Sequence, residues 1–407
     1  MKTMKMNLNE DKIHRLTEPL VERQEAINDY VIKTIAKQSK YVLDNDLDMI
    51  GIMALVHQLH FKNELIKMEK TVATMQKKEL KEIKATLQDI AEKAYADTKP
   101  LFNAMNMEFP SLNINADISD KTNDIINKTV KNIRRGFQTN AFMLRNPKNR
   151  KKLIPTPTSQ AYNQVINQTA QANQKGTINY DKAIQDALNE LINSGLREVE
   201  YEAESGKVHT QSLDAAVRRN VLDAVRDINQ TIQDEVGKQT GADGKEITVH
   251  RNPAPDHAPI QGHQFTNEEY EKLQNEKDFE DINGNKFTAI RRPIGMWNCR
   301  HFTYSIIIGI TKPNFTPEEL DKINKENEEG YTLPNGRHLT KYECEQEQRR
   351  MERVIRQIRQ KLAVAKTCGL NTVLELEAQL HAKLDEYMAF SKACGLKPKL
   401  NKTLLRY

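Results

Sequence analysis

Apolar residues fall at helical spacing over most of the first hundred positions, and no other feature restricts the fold of this chain so strongly. Ile27, Val31 and Ile35 recur every four residues, while Leu80, Ile83, Leu87, Ile90 and Ala94 follow a three-four alternation. Each set lines one stripe of a helix. From about Asn9 to Thr98 the chain is therefore expected as amphipathic helices, with Lys and Glu on the remaining faces, as from Lys77 to Lys84. Such a charge run reads as the solvated side of an arm packed along one face. Only 38% of the 407 residues are hydrophobic, against the ~45–50% of an average globular composition. The chain is accordingly expected to be elongated, or to bury much of its surface against partners.

Pro100 and Pro110 interrupt the pattern. A further helical stretch around Ile125 to Phe142 runs into Arg145, Pro147, Lys148, Arg150, Lys151 and Lys152, then Pro155 and Pro157, which reads as a basic linker at a domain boundary. Two readings stay open for its five cations. Arg145, Lys148, Arg150, Lys151 and Lys152 could each neutralise a phosphate and give salt-dependent, sequence-blind attachment to double-stranded DNA, or they form a solvated segment between domains. Beyond it, Tyr180 to Leu196 and Leu213 to Val236 read as helices flanking a strand-like Glu198 to Tyr201 and a turn at Ser205-Gly206. Arg219 and Arg226 share a helix face, where they reach an anion or pair with Asp223 and Asp227.

The character changes at Asp243. Turn signals at Asp243-Gly244 and Asn283-Gly284 separate short β-branched or aromatic runs, Ile247 to Val249, Phe287 to Ile290 and Phe302 to Ile308, so a small irregular α+β domain is expected. In the tail, Thr340 and Glu343 make a T-x-x-E capping box ahead of the stripe Met351, Val354, Ile358, Leu362 and Ala365. Lys366-Thr367-Cys368-Gly369-Leu370 closes that helix, and the near-copy Lys392-Ala393-Cys394-Gly395-Leu396 closes the next. In each, a glycine can turn left-handed and the following leucine fold back on the helix, so the tail reads as an antiparallel helical hairpin. Its cysteines then belong to helix-end packing. Within the first of these helices Glu352 stands four residues before Arg356, an ion-pair spacing. The fold class is α+β, mainly α. Its parts are a helical N-terminal arm ending in the basic linker (1–152), a helical middle (153–242), a His/Cys domain (243–339) and the C-terminal hairpin (340–407).

Several classes drop out. No apolar run follows the lysines of Met1 to Glu10, so no secretory leader is expected, and the longest apolar stretch, Met49 to Val56, is too short to span a bilayer. Four cysteines make no disulfide framework and suit a reducing compartment. A net charge of +5 does not mark the whole chain as a nucleic-acid binder. There is no P-loop, no G-x-G-x-x-G and no H-E-x-x-H, and the chain is not expected to be an enzyme.

The densest chemistry lies in His250 to His263 and in Trp297-Asn298-Cys299-Arg300-His301; five of the ten histidines fall between 243 and 339. His250, His257, Cys299 and His301 supply three imidazoles and a thiolate, a set that suits zinc. In a domain with little core such bonds would contribute folding energy directly. Two other readings stand beside it. The side chains hold irregular loops together by hydrogen bonds, or Cys299 and His301, with Asp256 or His257, form a nucleophile and base of a metal-dependent or cysteine-based hydrolase or nuclease.

These residues resemble the phage minor capsid proteins of family 2, which are distantly similar to the Mu F-like head-morphogenesis proteins. The family pattern of a His, then R-P-x-H-A-x-W-Q-G, then N-C-R-H, then Y-E-x-x-Q-x-Q-R-x-M-E-R-x-I-R is met in order. His250, Pro255, His257, Ala258, Gln261 and Gly262 match its first part, and Asn298, Cys299, Arg300 and His301 its second. Tyr342, Glu343, Gln346, Gln348, Arg349, Met351, Glu352, Arg353, Ile355 and Arg356 match the third. Ser212-Leu213-Asp214 running into Ala216-Val217-Arg218-Arg219 looks like the family's helix before the His-bearing loop. The resemblance covers roughly Gly176 onward, with Ala254 in the place of the family's Arg and Ile260 in that of its Trp. It implies a virion structural protein present in few copies, at the portal vertex or inside the head and made in the host cytoplasm. Its implied partners are portal and capsid proteins and packaged DNA, and no membrane.

Overall fold

The structure, a computed structural model, describes residues 10–146, 149–174, 180–202, 208–275, 278–288, 290, 293–295, 299 and 301–406. Its helices are α1 (Glu10–Asp44), α2 (Met49–Met53), α3 (Leu55–Ala96), α4 (Lys99–Ala104), α5 (Ala116–Gln138), α6 (Thr158–Gln174), α7 (Tyr180–Ser194), α8 (Leu213–Thr240), α9 (Asn267–Gln274), α10 (Pro317–Glu329), α11 (Lys341–Cys368) and α12 (Val373–Ala393). The strands are β1 (Asn140–Asn146), β2 (Asn149–Pro157), β3 (Arg197–Glu202), β4 (Val208–Ser212), β5 (Gly244–Ile247), β6 (Gln264–Thr266), β7 (Phe279–Glu280), β8 (Lys286–Phe287), β9 (Thr303–Ile306), β10 (Tyr331–Thr332) and β11 (His338–Leu339). The fold is mainly α with small antiparallel sheets, as the periodicity predicts.

The chain divides into two compact units. One takes Met1–Pro19, Glu82–Asn132 and Arg218–Gln346; the other takes Leu20–Lys81, Ile133–Val217 and Glu347–Tyr407. The boundaries fall inside α1, α3, α5, α8 and α11.

In the second unit the four-stranded sheet has the order β2-β1-β3-β4. Here the structure departs from the expected helix to Phe142 and from the linker after it. Helix α5 stops at Gln138, and β1 pairs with β2 from Ala141↔Pro157 to Asn146↔Asn149. The residues explain why. Phe142 and Leu144 are 0% and 1% exposed and alternate with Met143 and Arg145, a period of two that sends one face inward. The prolines that resemble breakers, Pro155 and Pro157, lie on β2, an edge strand of the sheet, where a missing N–H interrupts no ladder on the open side.

The stripe Ile27, Val31, Ile35 is buried in the same unit. Helices α11 and α12 pack antiparallel: Gln348 Nε2 donates to Ser391 Oγ (3.0 Å), Tyr387 Oη donates to Glu352 Oε1 (2.9 Å), and Lys366 pairs with Glu377 (2.7 Å). Both glycine caps form as the sequence suggests. Gly369 and Gly395 have φ of +68° and +65°, and Leu370 and Leu396 N–H return to Ala365 and Ser391 O at 2.9 and 2.8 Å. Cys368 packs into the interior, and burial pushes its thiol up to about 12. The i,i+4 pairing of Glu352 with Arg356 gives way to tertiary partners, Tyr387 for Glu352 and Glu25 for Arg356.

In the first unit a three-stranded sheet, β6-β5-β9, rests on α8. Ser305 N–H donates to Gln233 Oε1 (2.9 Å), its hydroxyl to Gln233 O (2.7 Å), and Asn229 Nδ2 to Thr303 O (3.1 Å). A Cβ on Gly237 of α8 would stand 3.0 Å from Ser305 Oγ, so glycine lets helix and strand approach. Arg226 lies against both Asp227 (2.6 Å) and Asp223 (3.6 Å), the local pairing expected of it. Under the loops, Ile247, Ile260, Phe265, Tyr270, Leu273, Phe287, Ile290 and Ile294 form one apolar cluster. Ile260, where the family pattern has Trp, is part of that core at 1% exposure.

Candidate metal centre

Strand register places the histidine-bearing segments together. β5 pairs with β9 so that Ile247 faces Thr303, and beyond the ladder Thr248 N–H donates to Phe302 O and Phe302 N–H to Thr248 Oγ1, both at 2.9 Å. The chain leaving β5 and the chain entering β9 must then run side by side. The first carries His250 and His257, the second Cys299 and His301. Between β5 and β6 the loop makes a tight turn, with His257 and Ala258 N–H both donating to Ala254 O (2.9 and 3.0 Å) and Gly262 N–H returning to Ile247 O (2.9 Å). Gly262 takes φ +73°, a region open to glycine.

Three of the four expected ligands converge. His257 Nδ1 lies 3.3 Å from His301 Nδ1 and 3.3 Å from Cys299 Sγ, and Sγ lies 3.4 Å from His301 Nδ1. The imidazoles are 1% and 3% exposed, and Cys299 is half-buried. His250 stands apart from this trio: its ring meets that of His301 edge-on, with centroids 4.2 Å apart. Trp297, Asn298 and Arg300 lie outside the described residues.

Residues outside the expected ligand set complete the surroundings. Gln261, 0% exposed, accepts His250 N–H at Oε1 (2.8 Å) and donates through Nε2 to Asn324 Oδ1 (3.0 Å), which fixes the orientation of its amide. The same Oε1 faces His301 Nε2 at 3.3 Å. On the other ring, His257 Nε2 faces Asp256 Oδ2 at 3.6 Å. Helix α10 holds the loop from outside, with Asn324 Nδ2 donating to Ala258 O (3.0 Å) and Asn327 Nδ2 to Pro253 O (3.2 Å). The signal for Gln261 was its place in the H-A-P-I-Q-G run; nothing in the sequence marked Asn324 or Asn327. Nearby, burial lowers the proton affinity of His263, whose ring stands edge-on to Phe287 at 5.3 Å.

The basic residues take up a β hairpin. Arg145 on β1 is exposed and meets Glu190 at 3.3 Å. Lys151 and Lys152 are exposed on β2 and, as neighbours in a strand, point to opposite faces. Lys148 lies outside the described residues, and Arg150 is described only as backbone.

A family model described as phage minor capsid protein 2 matches residues 8–387. The chain belongs to that family. The match runs through the N-terminal helices as well as the motif-bearing part, so the arm is a family feature, and the protein is virion-associated. Searches of curated proteins and of solved structures returned no match. No helix among the described residues of this minor capsid family member is long and apolar enough to cross a membrane.

Proposed function

We propose that the chain works by binding, as a low-copy structural component seated at the portal vertex on the inside of the phage head, where it touches portal, capsid and packaged DNA. The family match over residues 8–387 carries this reading. Two surfaces support it. The longest apolar stretch of the sequence falls at the junction of α2 and α3, where Ile50, Met53, Leu55, Val56 and Leu59 are 77%, 64%, 71%, 66% and 49% exposed. Apolar side chains concentrated in this way on a surface mark a place for a partner. Changing Ile50, Leu55 and Val56 together to Ser is expected to weaken retention on immobilised portal by about tenfold, with the helical circular-dichroism signal unchanged. Undiminished retention would take that surface out of the interface.

The β1–β2 hairpin is the second surface, proposed to meet DNA through its phosphates. Binding is expected to fall steeply with salt, and Lys151→Gln with Lys152→Gln to flatten the log–log slope by about one to two, roughly 0.9 for each phosphate no longer neutralised. Fluorescence anisotropy on a duplex of arbitrary sequence measures it; an unaltered slope removes the hairpin from the DNA interface.

The rival reading, a hydrolase or nuclease, draws on the 3.3 Å and 3.4 Å approaches of Cys299 to two imidazoles. Burial of both rings favours a fastening instead, because a base must reach the substrate's proton. Turnover of an ester, peptide or nucleic acid by the pure chain, abolished in Cys299→Ala, would reverse the assignment.

A further inference from the structure

We propose that His257 Nδ1, His301 Nδ1 and Cys299 Sγ bind one Zn²⁺ ion, which staples the loop between β5 and β6 to the segment entering β9. The inference stands apart from the portal and DNA readings and rests on the geometry of the three donors.

Distance is the first argument. Around a tetrahedral zinc with Zn–N of ~2.05 Å and Zn–S of ~2.3 Å, two nitrogens stand ~3.3 Å apart and a nitrogen and a sulfur ~3.5 Å apart. The observed edges are 3.3, 3.3 and 3.4 Å. Three corners of one tetrahedron are thus in place, with the fourth left to a water or another side chain.

Proton placement is the second. The amide of Gln261 is oriented by His250 N–H and by Asn324, so its Oε1 is an acceptor and His301 Nε2 must be the donor toward it. Asp256 Oδ2, 3.6 Å from His257 Nε2, favours the proton of His257 on that nitrogen by charge rather than by a hydrogen bond. Both Nδ1 atoms then present lone pairs to each other and to the sulfur. Three donor atoms converging on one point at these separations are the arrangement that a single divalent cation takes up.

The neighbours are those a metal site requires. The far nitrogen of His301 is held by the oxygen of Gln261, which fixes its tautomer and orientation, and Cys299 Sγ accepts His301 N–H at 3.4 Å, a bond that steadies a thiolate. Two imidazoles and a thiolate select zinc over the oxygen-seeking Ca²⁺ and Mg²⁺. The ion would join residues far apart in sequence in a domain whose strands have two to four residues.

The test uses the full chain. Purified protein should carry about one equivalent of zinc. After the metal is exchanged for Co²⁺, the spectrum should show the intense d–d bands of a tetrahedral site and a thiolate-to-cobalt charge-transfer band. Both should be lost in Cys299→Ser and kept in Cys368→Ser. Less than about half an equivalent of zinc in the wild-type chain, octahedral cobalt without the sulfur band, or a sulfur band that survives Cys299→Ser would each overturn the proposal. The wild-type zinc content and cobalt spectrum decide the matter even where Cys299→Ser does not fold.

Discussion

Gly330→Ala is expected to destabilise the unit that carries the His/Cys loops by about 4 kcal/mol, near the upper end for a single substitution. Gly330 lies between α10 and β10, capping the helix, with φ +33° and ψ −134°, where a side chain is strained by ~1–3 kcal/mol. Its added Cβ would also overlap Leu339 O and stand 2.8 Å from Thr340 Cα. Those are backbone atoms of β11 and of the residue capping α11, so relief requires opening the Tyr331↔Leu339 pair or shifting α10. Shifting α10 drags Asn324 and Asn327 away from the loop between β5 and β6. Gly336→Ala is the comparison, at φ +83° with nothing within 4 Å of the new atom; it should cost about 1 kcal/mol, from strain alone. Denaturant titration of both variants reads the difference. Equal midpoints would mean that the approach of Leu339 O is not what restricts this position.

Arg356→Ala should cost the other unit about 3 kcal/mol, the loss expected when one partner of a buried ion pair is removed. The side chains of Arg356 and Glu25 are 17% and 12% exposed. Arg350, paired with Glu347 at 55% and 33% exposure, is the surface counterpart, and Arg350→Ala should change stability by under ~1 kcal/mol. The pH dependence identifies the cause. Burial raises the proton affinity of Glu25, and Arg356 is the largest influence lowering it again. Folded Glu25 therefore holds its proton more tightly than an unfolded glutamate, so its contribution to stability falls as pH rises from the ordinary value of 4.5 through the folded one. Without Arg356 the folded value climbs further and the fall deepens. The deficit of Arg356→Ala should then be largest near neutrality and shrink below about pH 4.5, where the carboxyl is protonated in both states. A deficit that ignores pH would assign the loss to packing of the guanidinium stem instead.

How legible these features are in the sequence depends on whether their cause is local. Thr340 and Glu343 form their capping box, with Glu343 N–H to Thr340 Oγ1 at 3.2 Å and Thr340 N–H to Glu343 Oε2 at 2.9 Å, because both partners lie in one turn. The Gly369 and Gly395 caps are local for the same reason. Strands β3 and β9 announce themselves by β-branched or aromatic runs, β5 and β8 share only Ile247 and Phe287 with the runs expected there, and β1 and β2 show no such run. A helical reading runs through Phe142 because Ile133 and Phe137 keep that spacing, and two prolines hide the strand that follows. Only the sheet order, with β2 at an edge, makes them acceptable there. Three of the expected ligands meet because strand register brings them together. His250 lies beside them rather than among them, and Gln261 acquires its part from Asn324, more than sixty positions away, a relation no spacing rule reports.

Each unit is assembled from three separated stretches of chain, and this bears on how the protein is made. During synthesis α1 leaves the ribosome long before its partners: Asp29 waits for Gln360 and for the backbone of Arg406, and Glu25 for Arg356. The face of α1 that carries Glu25 and Asp29 must therefore stay without these partners until α11 and Arg406 have been made, and the unit can complete its core only then.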